Sequence, residues 1–163
     1  MDREAQCRAV WRELVSDVAR SAGEVRLKVA GASMLPVLWP GDLVTVRRCE
    51  FTELKPGQII LHGREERLTL HRIVRIAGDQ AITRGDSLRD YDTPANPSEI
   101  LGQVSGISRG GRVVSPQQKL WQRVLASVLR QSRFLRRVIL YVQRRFCNGS
   151  IAYSARPSST VGD

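Results

Sequence analysis

Cysteine is rare in this chain: Cys7, Cys49 and Cys147 are odd in number and lack metal-binding or redox spacing. Reduced thiols in a cytoplasmic setting are therefore expected. Histidine is rarer still, with only His62 and His71, and without clustered histidine ligands no metal and no cofactor are expected. Long apolar runs are missing ahead of Ser33. Asp2, Arg3, Glu4, Arg8, Arg12, Glu13, Asp17, Arg20 and Glu24 interrupt that stretch, so nothing approaches the ~20 apolar residues of a membrane span. Neither a span nor a signal peptide is expected there. No internal repeat is visible, and 163 residues suffice for one domain with a core of its own plus helical additions.

Acidic side chains almost vanish after residue 100. Residues 1–100 carry 15 acidic and 15 basic side chains, whereas 101–163 carry 11 basic ones and only Asp163, which accounts for the net charge of +10. The basic character belongs to the tail. From Pro116 to Phe146, Trp121, Val124, Leu125, Val128, Leu135, Val138, Ile139 and Val142 form an apolar stripe, with arginines largely elsewhere on the wheel. A basic amphipathic helix over residues 116–146 suits an anionic membrane surface. Nucleic acid is the competing partner, but the tail has no recognisable binding motif. A helix that simply covers the domain is the plainer alternative.

What is present is concentrated around Gly31-Ala32-Ser33-Met34-Leu35-Pro36 and the Gly41-Asp42-Leu43-Val44-Thr45-Val46 that follows. Gly31 and Ala32 leave the backbone beside Ser33 open to an extended peptide, and Pro36 stiffens the exit of the turn. A serine held this way can serve as a nucleophile if a base reaches it. Taken alone, Ser33 reads equally well as a structural serine.

His71 lies in Leu68-Thr69-Leu70-His71-Arg72-Ile73-Val74-Arg75-Ile76, whose alternation predicts a strand with His71 on one face. His62, next to Gly63 and a charged stretch, reads as a solvated hairpin tip without a catalytic role. Thr83-Arg84-Gly85-Asp86 through Asp90 and Asp92 supplies three carboxylates on a turn-rich segment. A carboxylate there can fix the tautomer of an imidazole and stabilise its charged form. Asp90 reads as a turn residue bonding its own backbone.

Ser33-Met34-Leu35-Pro36, Gly41-Asp42, Leu70-His71-Arg72-Ile73-Val74, Thr83-Arg84-Gly85-Asp86 with Asp92, and Ile100-Leu101-Gly102-Gln103-Val104 together resemble the signal peptidase family. The closer resemblance is to the archaeal and endoplasmic-reticulum type, in which histidine replaces the bacterial lysine. It covers about Val25 to Ile107 and implies Ser33 as nucleophile, His71 as general base, Asp92 as the essential aspartate and Asp86 as a second important carboxylate. Gly31, Ala32, Met34 and Pro36 are the expected substrate-binding positions. Two departures stand out. Gly31 occupies the place of a serine thought to help bind the oxyanion, which makes the segment similar to the self-cleaving repressor proteases of the SOS response. The family's usual N-terminal membrane anchor is also expected to be missing.

The expected fold is mainly β (α+β): coiled β-sheets of the signal peptidase and repressor-protease type, flanked by an N-terminal and a C-terminal amphipathic helix. Strands are predicted at Val25–Ala30, Leu43–Arg47, Gln58–His62, Leu68–Ile76, Gln80–Arg84 and Gln103–Ser108. Residues 1–22 are expected to form the first helix, 23–112 the catalytic domain, 113–147 the basic helical tail and 148–163 a disordered end. The expected function is a serine endopeptidase cleaving a precursor or leader peptide after small residues. The enzyme is expected in the cytoplasm, peripheral on the membrane through its tail. A non-catalytic binding module on the same fold and a self-cleaving regulator remain the alternatives.

Overall fold

The computed structural model describes residues 17, 23–64, 67–116 and 125–128. Seven antiparallel strands form a single sheet: β1 (Glu24–Lys28), β2 (Leu43–Arg47), β3 (Ile59–Arg64), β4 (Arg67–Ala77), β5 (Gln80–Arg84), β6 (Ile100–Arg109) and β7 (Arg112–Val114). Their order is β1-β2-β6-β3-β4-β5, with β7 added to β6. Short 3-10 turns at Phe51–Glu53 and Pro97–Glu99 precede β3 and β6.

The strands form where β-branched residues alternate with polar ones, because one pleated face can then be buried while the other meets water. In β2, Val44 and Val46 are buried while Leu43 and Arg47 are exposed. In β5, Ala81 and Thr83 point inward. β4 is long enough to serve two neighbours: residues 67–72 pair with β3 and residues 72–77 with β5. β6 likewise pairs with β3 through Ile100–Gln103 and with β2 through Gln103–Ser108. Bulges at Thr45/Val46, Leu61/His62 and Ile73/Arg75 bend and twist the sheet where these neighbours change.

The two faces of β3 carry different chemistry. Ile59 and Leu61 join Val25, Met34, Val37, Leu38, Val44, Val46 and Ile107 in the larger apolar core. Ile60, on the other face, packs with Leu54, Ile73 and Ala81 in a smaller cluster. His71 pairs directly with Ile60, so the smaller cluster forms the floor on which the candidate site stands.

Two predicted strands, β2 and β5, match the observed residues, and the others shift or lengthen at their ends. β3 extends to Arg64, and β7 was not expected. It forms because Gly110 and Gly111, at φ +56 and +80, close a tight hairpin after β6. Val114 then packs on the larger core, so the sheet runs across the expected boundary between residues 112 and 113. The expected terminal helices fall largely outside the described residues. Asp17 and Leu125–Val128 are helical, with Ala126 buried and Val128 exposed. The expected disordered end, 148–163, lies outside the described residues. Among the described residues, no helix is long and apolar enough to cross a membrane.

Candidate active site

Ser33 belongs to a turn-rich loop between β1 and β2, tied at its base by Val29 N–H to Asp42 O (2.8 Å) and Gly41 N–H to Val29 O (2.7 Å). Met34, Leu35, Val37 and Leu38 are buried, so this loop is anchored through its apolar side chains while Ser33 stays partly exposed. Asp42, itself buried, accepts from Arg109 Nε (2.8 Å), from Arg109 Nη2 (2.7 Å) and from the Trp39 N–H (2.8 Å). Arg109 Nη2 also donates to Val37 O (2.9 Å). The Gly41-Asp42 pair of the sequence is thus the fastening that locks the serine loop to the end of β6.

The remaining parts come from the sheet. The strand alternation of β4 turns His71 onto the face of Ile60, where its ring is buried. Its Nε2 lies 2.9 Å from Ser33 Oγ, and its Nδ1 lies 2.6 Å from Asp92 Oδ2. Asp92 arrives there because its N–H donates to Thr83 O (2.9 Å) while the Thr83 hydroxyl donates to Oδ2 (2.6 Å). Burial alone would raise the pKa of Asp92, but the hydrogen bonds from His71 and Thr83 outweigh it and hold the carboxyl below its usual value. An ionised carboxylate can only accept, so the imidazole proton belongs on Nδ1. The Nε2 lone pair then faces the Ser33 hydroxyl, the arrangement needed to take its proton.

Asp86 does not join this chain. Both of its oxygens accept from Arg72, at 2.8 Å from Nε and 2.8 Å from Nη2, while Arg72 Nη1 donates to Gly57 O (2.6 Å). Asp86 therefore fastens the loop after β5 to β4, one residue beyond His71. Asp90 is exposed.

The expected substrate-binding positions divide in two. Gly31 is exposed and Ala32 is partly exposed, and among the described residues a Cβ added at Gly31 would meet nothing within 4 Å, so the backbone ahead of Ser33 is uncrowded by them. Met34 is only 2% exposed and belongs to the larger core, and Pro36 is buried. Those two hold the loop from beneath.

His62 corrects the sequence reading. It is a buried residue inside β3, not a solvated tip, because β3 runs on to Arg64 and pairs with β4 as far as Arg64↔Arg67. Its ring lies 6.2 Å from that of His71, centroid to centroid, in an edge-on arrangement. Burial pushes its pKa down. Its Nε2 is buried and finds no hydrogen-bond partner among the described residues.

Sequence reasoning also passed over Thr83 and Ser87. Ser87 donates its hydroxyl to the carbonyl oxygens of Ala32 and Ser33, both at 3.0 Å. The Gly-Asp-Ser string containing Ser87 was legible, but nothing in it signalled contact with a residue 54 positions earlier. No family model matches this chain, and no curated protein matches it.

Proposed function

We propose that this protein is a serine endopeptidase of the signal peptidase and repressor-protease type. The observation that carries the reading is the continuous chain Ser33 Oγ, His71 Nε2, His71 Nδ1, Asp92 Oδ2, with contacts of 2.9 and 2.6 Å. In the proposed reaction Ser33 attacks the scissile carbonyl while His71 takes its proton, and the imidazolium is stabilised by Asp92. His71 then protonates the leaving amine, and water, activated by the same imidazole, releases the acyl group. The substrate is a peptide segment that enters extended past Gly31 and Ala32, and among the described residues a Cβ at Gly31 would meet nothing within 4 Å. Preference for small residues before the cleaved bond follows from the resemblance. With glycine at position 31, backbone N–H groups near Ser33 carry the oxyanion stabilisation.

The test is mass spectrometry of a peptide mixture with alanine, glycine or leucine before the scissile bond, incubated with the full chain and with Ser33→Ala. Cleavage after alanine that disappears in the variant supports the reading; cleavage that persists, or none by the wild type, overturns it. The basic tail, residues 116–146, is proposed to hold the enzyme peripherally on an anionic membrane surface. Such attraction is worth about 1 kcal/mol per Lys or Arg near the surface, so co-sedimentation with anionic vesicles should weaken as salt rises.

A further inference from the structure

The β3–β4 register does something the linear sequence concealed: it brings both histidines of the chain to one carboxylate. The donor atoms of His62, His71 and Asp92 all lie within 4.8 Å of one another. His62 and His71 are buried, at 8% and 6% exposure, and Asp92 is partly buried. Both His71 nitrogens and Asp92 Oδ2 have hydrogen-bond partners, but among the described residues His62 Nε2 has none, although it is shut away from solvent. A buried polar nitrogen without a partner keeps its full desolvation penalty and calls for a reason. His62 shares its face of β3 with the buried Ile60, and an aliphatic residue at position 62 would be buried there without that cost.

We propose that His62, His71 and Asp92 form a binding site for a divalent transition-metal ion of the zinc class, and that its occupation switches off the Ser33–His71 pair. Two imidazoles and one carboxylate are a donor set that suits zinc and its neighbours, and three protein ligands leave a position for water. At metal–ligand distances of ~2.0–2.1 Å, tetrahedral neighbours stand about 3.4 Å apart, so the widest pair must close by roughly 1.4 Å. Rotation of the His62 ring about its broad terminal torsion supplies movement of that kind. The His71–Asp92 pair opens slightly as the ion replaces the proton between them.

The consequence for His71 is the same whichever ring nitrogen binds. Bound through Nε2, its lone pair is used by the ion and the Ser33 contact is lost. Bound through Nδ1, the ring proton moves to Nε2, and Nε2–H can only donate to Ser33 Oγ. In neither state can His71 take the serine proton. This inhibitory half rests on the peptidase reading, whereas the metal site does not.

The test uses the full chain without a polyhistidine tag, titrated with Co²⁺ and followed by its visible absorption, then with Zn²⁺ in competition. One equivalent bound with an intense tetrahedral nitrogen–oxygen spectrum, displaced by Zn²⁺, is expected. Loss of an outer hydrogen-bonding partner of a ligand already weakens metal affinity ~10–100-fold, so loss of a ligand in His62→Gln should weaken it at least as much. Asp92→Asn should weaken it similarly, and Ser33→Ala should retain the spectrum. No stoichiometric binding, a spectrum unchanged in a folded His62→Gln, or thiolate charge-transfer bands that place the ion on cysteines would each overturn the site. A chain that binds Co²⁺ but cleaves no peptide, even with chelator, supports the site and counts against the peptidase reading. Cleavage undiminished with one Zn²⁺ bound overturns the inhibitory half.

Discussion

Ser87 grips the main chain of the candidate nucleophile: its N–H donates to Ser33 O over 2.9 Å and its hydroxyl donates to the same oxygen over 3.0 Å. Gly85 completes the grip, since a Cβ added there would stand 2.7 Å from Ser33 O and 2.9 Å from the Leu88 side chain. The aim of Ser33 at His71 is thus set by a turn over fifty residues away in the chain.

Replacing Gly85 with Ala should push the Ser33 carbonyl out of place, because a backbone oxygen cannot retreat as a flexible side chain would. Turnover should fall by about 10²-fold, the scale on which ~1 Å misplacements act, with KM little changed. Ser87→Ala removes the hydroxyl contacts to Ala32 O and Ser33 O but keeps the N–H bond to Ser33 O, and should cost less. Steady-state kinetics of the two variants, with circular dichroism to confirm folding, makes the comparison. Equal activity in Gly85→Ala and wild type would show that the turn does not aim the serine.

Ser33→Ala and His71→Ala should reduce cleavage to a similar residual level, and the double variant should be scarcely worse. Groups that act as one unit lose their effect together when either is removed. Measured rate constants for the three variants decide this; two losses that multiply would mean that serine and histidine work separately.

The aspartates should separate by mechanism. Asp92→Asn removes the acceptor that fixes the His71 tautomer and should cut turnover by up to ~10⁴-fold with the fold intact. Thr83→Val removes one of the bonds that hold Asp92 ionised, so the carboxyl pKa should rise, which an NMR titration of the Asp92 carboxyl carbon reads directly. Asp86→Asn breaks a buried ion pair with Arg72, a change that typically costs about 3–5 kcal/mol because the arginine is left uncompensated. Its signature is a lower denaturation midpoint, read by denaturant unfolding. Asp90→Asn, at an exposed position, should change neither property.

Acid should weaken the fold partly through Glu99. Hydrogen bonds from Arg64, both 2.7 Å, hold the Glu99 carboxyl down from 4.5 to about 2. A depressed folded-state pKa stabilises the protein above the unfolded value, and the contribution is lost as pH falls from about 4.5 through about 2. The difference in unfolding free energy between wild type and Glu99→Gln should therefore be constant above about pH 5 and shrink below it. A difference that stays constant down to pH 2 would mean that the pair does not act through ionisation.

Much of the sheet was legible because strand formation answers to a local pattern. Leu43–Arg47 and Gln80–Arg84 alternate cleanly and end at turn residues, and both formed where that pattern predicts. β7 escaped because three residues carry too little pattern, and it exists only by pairing with β6. His62 was misread because a glycine and a charged stretch beside it resemble a turn, while the strand that pairs with β3 keeps the segment extended two residues further.

The sequence by itself determined which side chains were available: a serine on an open backbone, one histidine in an alternating strand and carboxylates on a following turn, together with the ordered blocks that carry the family resemblance. Only the tertiary structure decided their partners. Asp92 meets His71 because Thr83 draws the returning chain back, and Asp86 is taken by Arg72. His62 stands by His71 because one register slip in either direction would have turned it to the other face. Alternation and turn propensity act over a few residues, whereas register and loop return are set by packing and hydrogen bonds between segments distant in the chain.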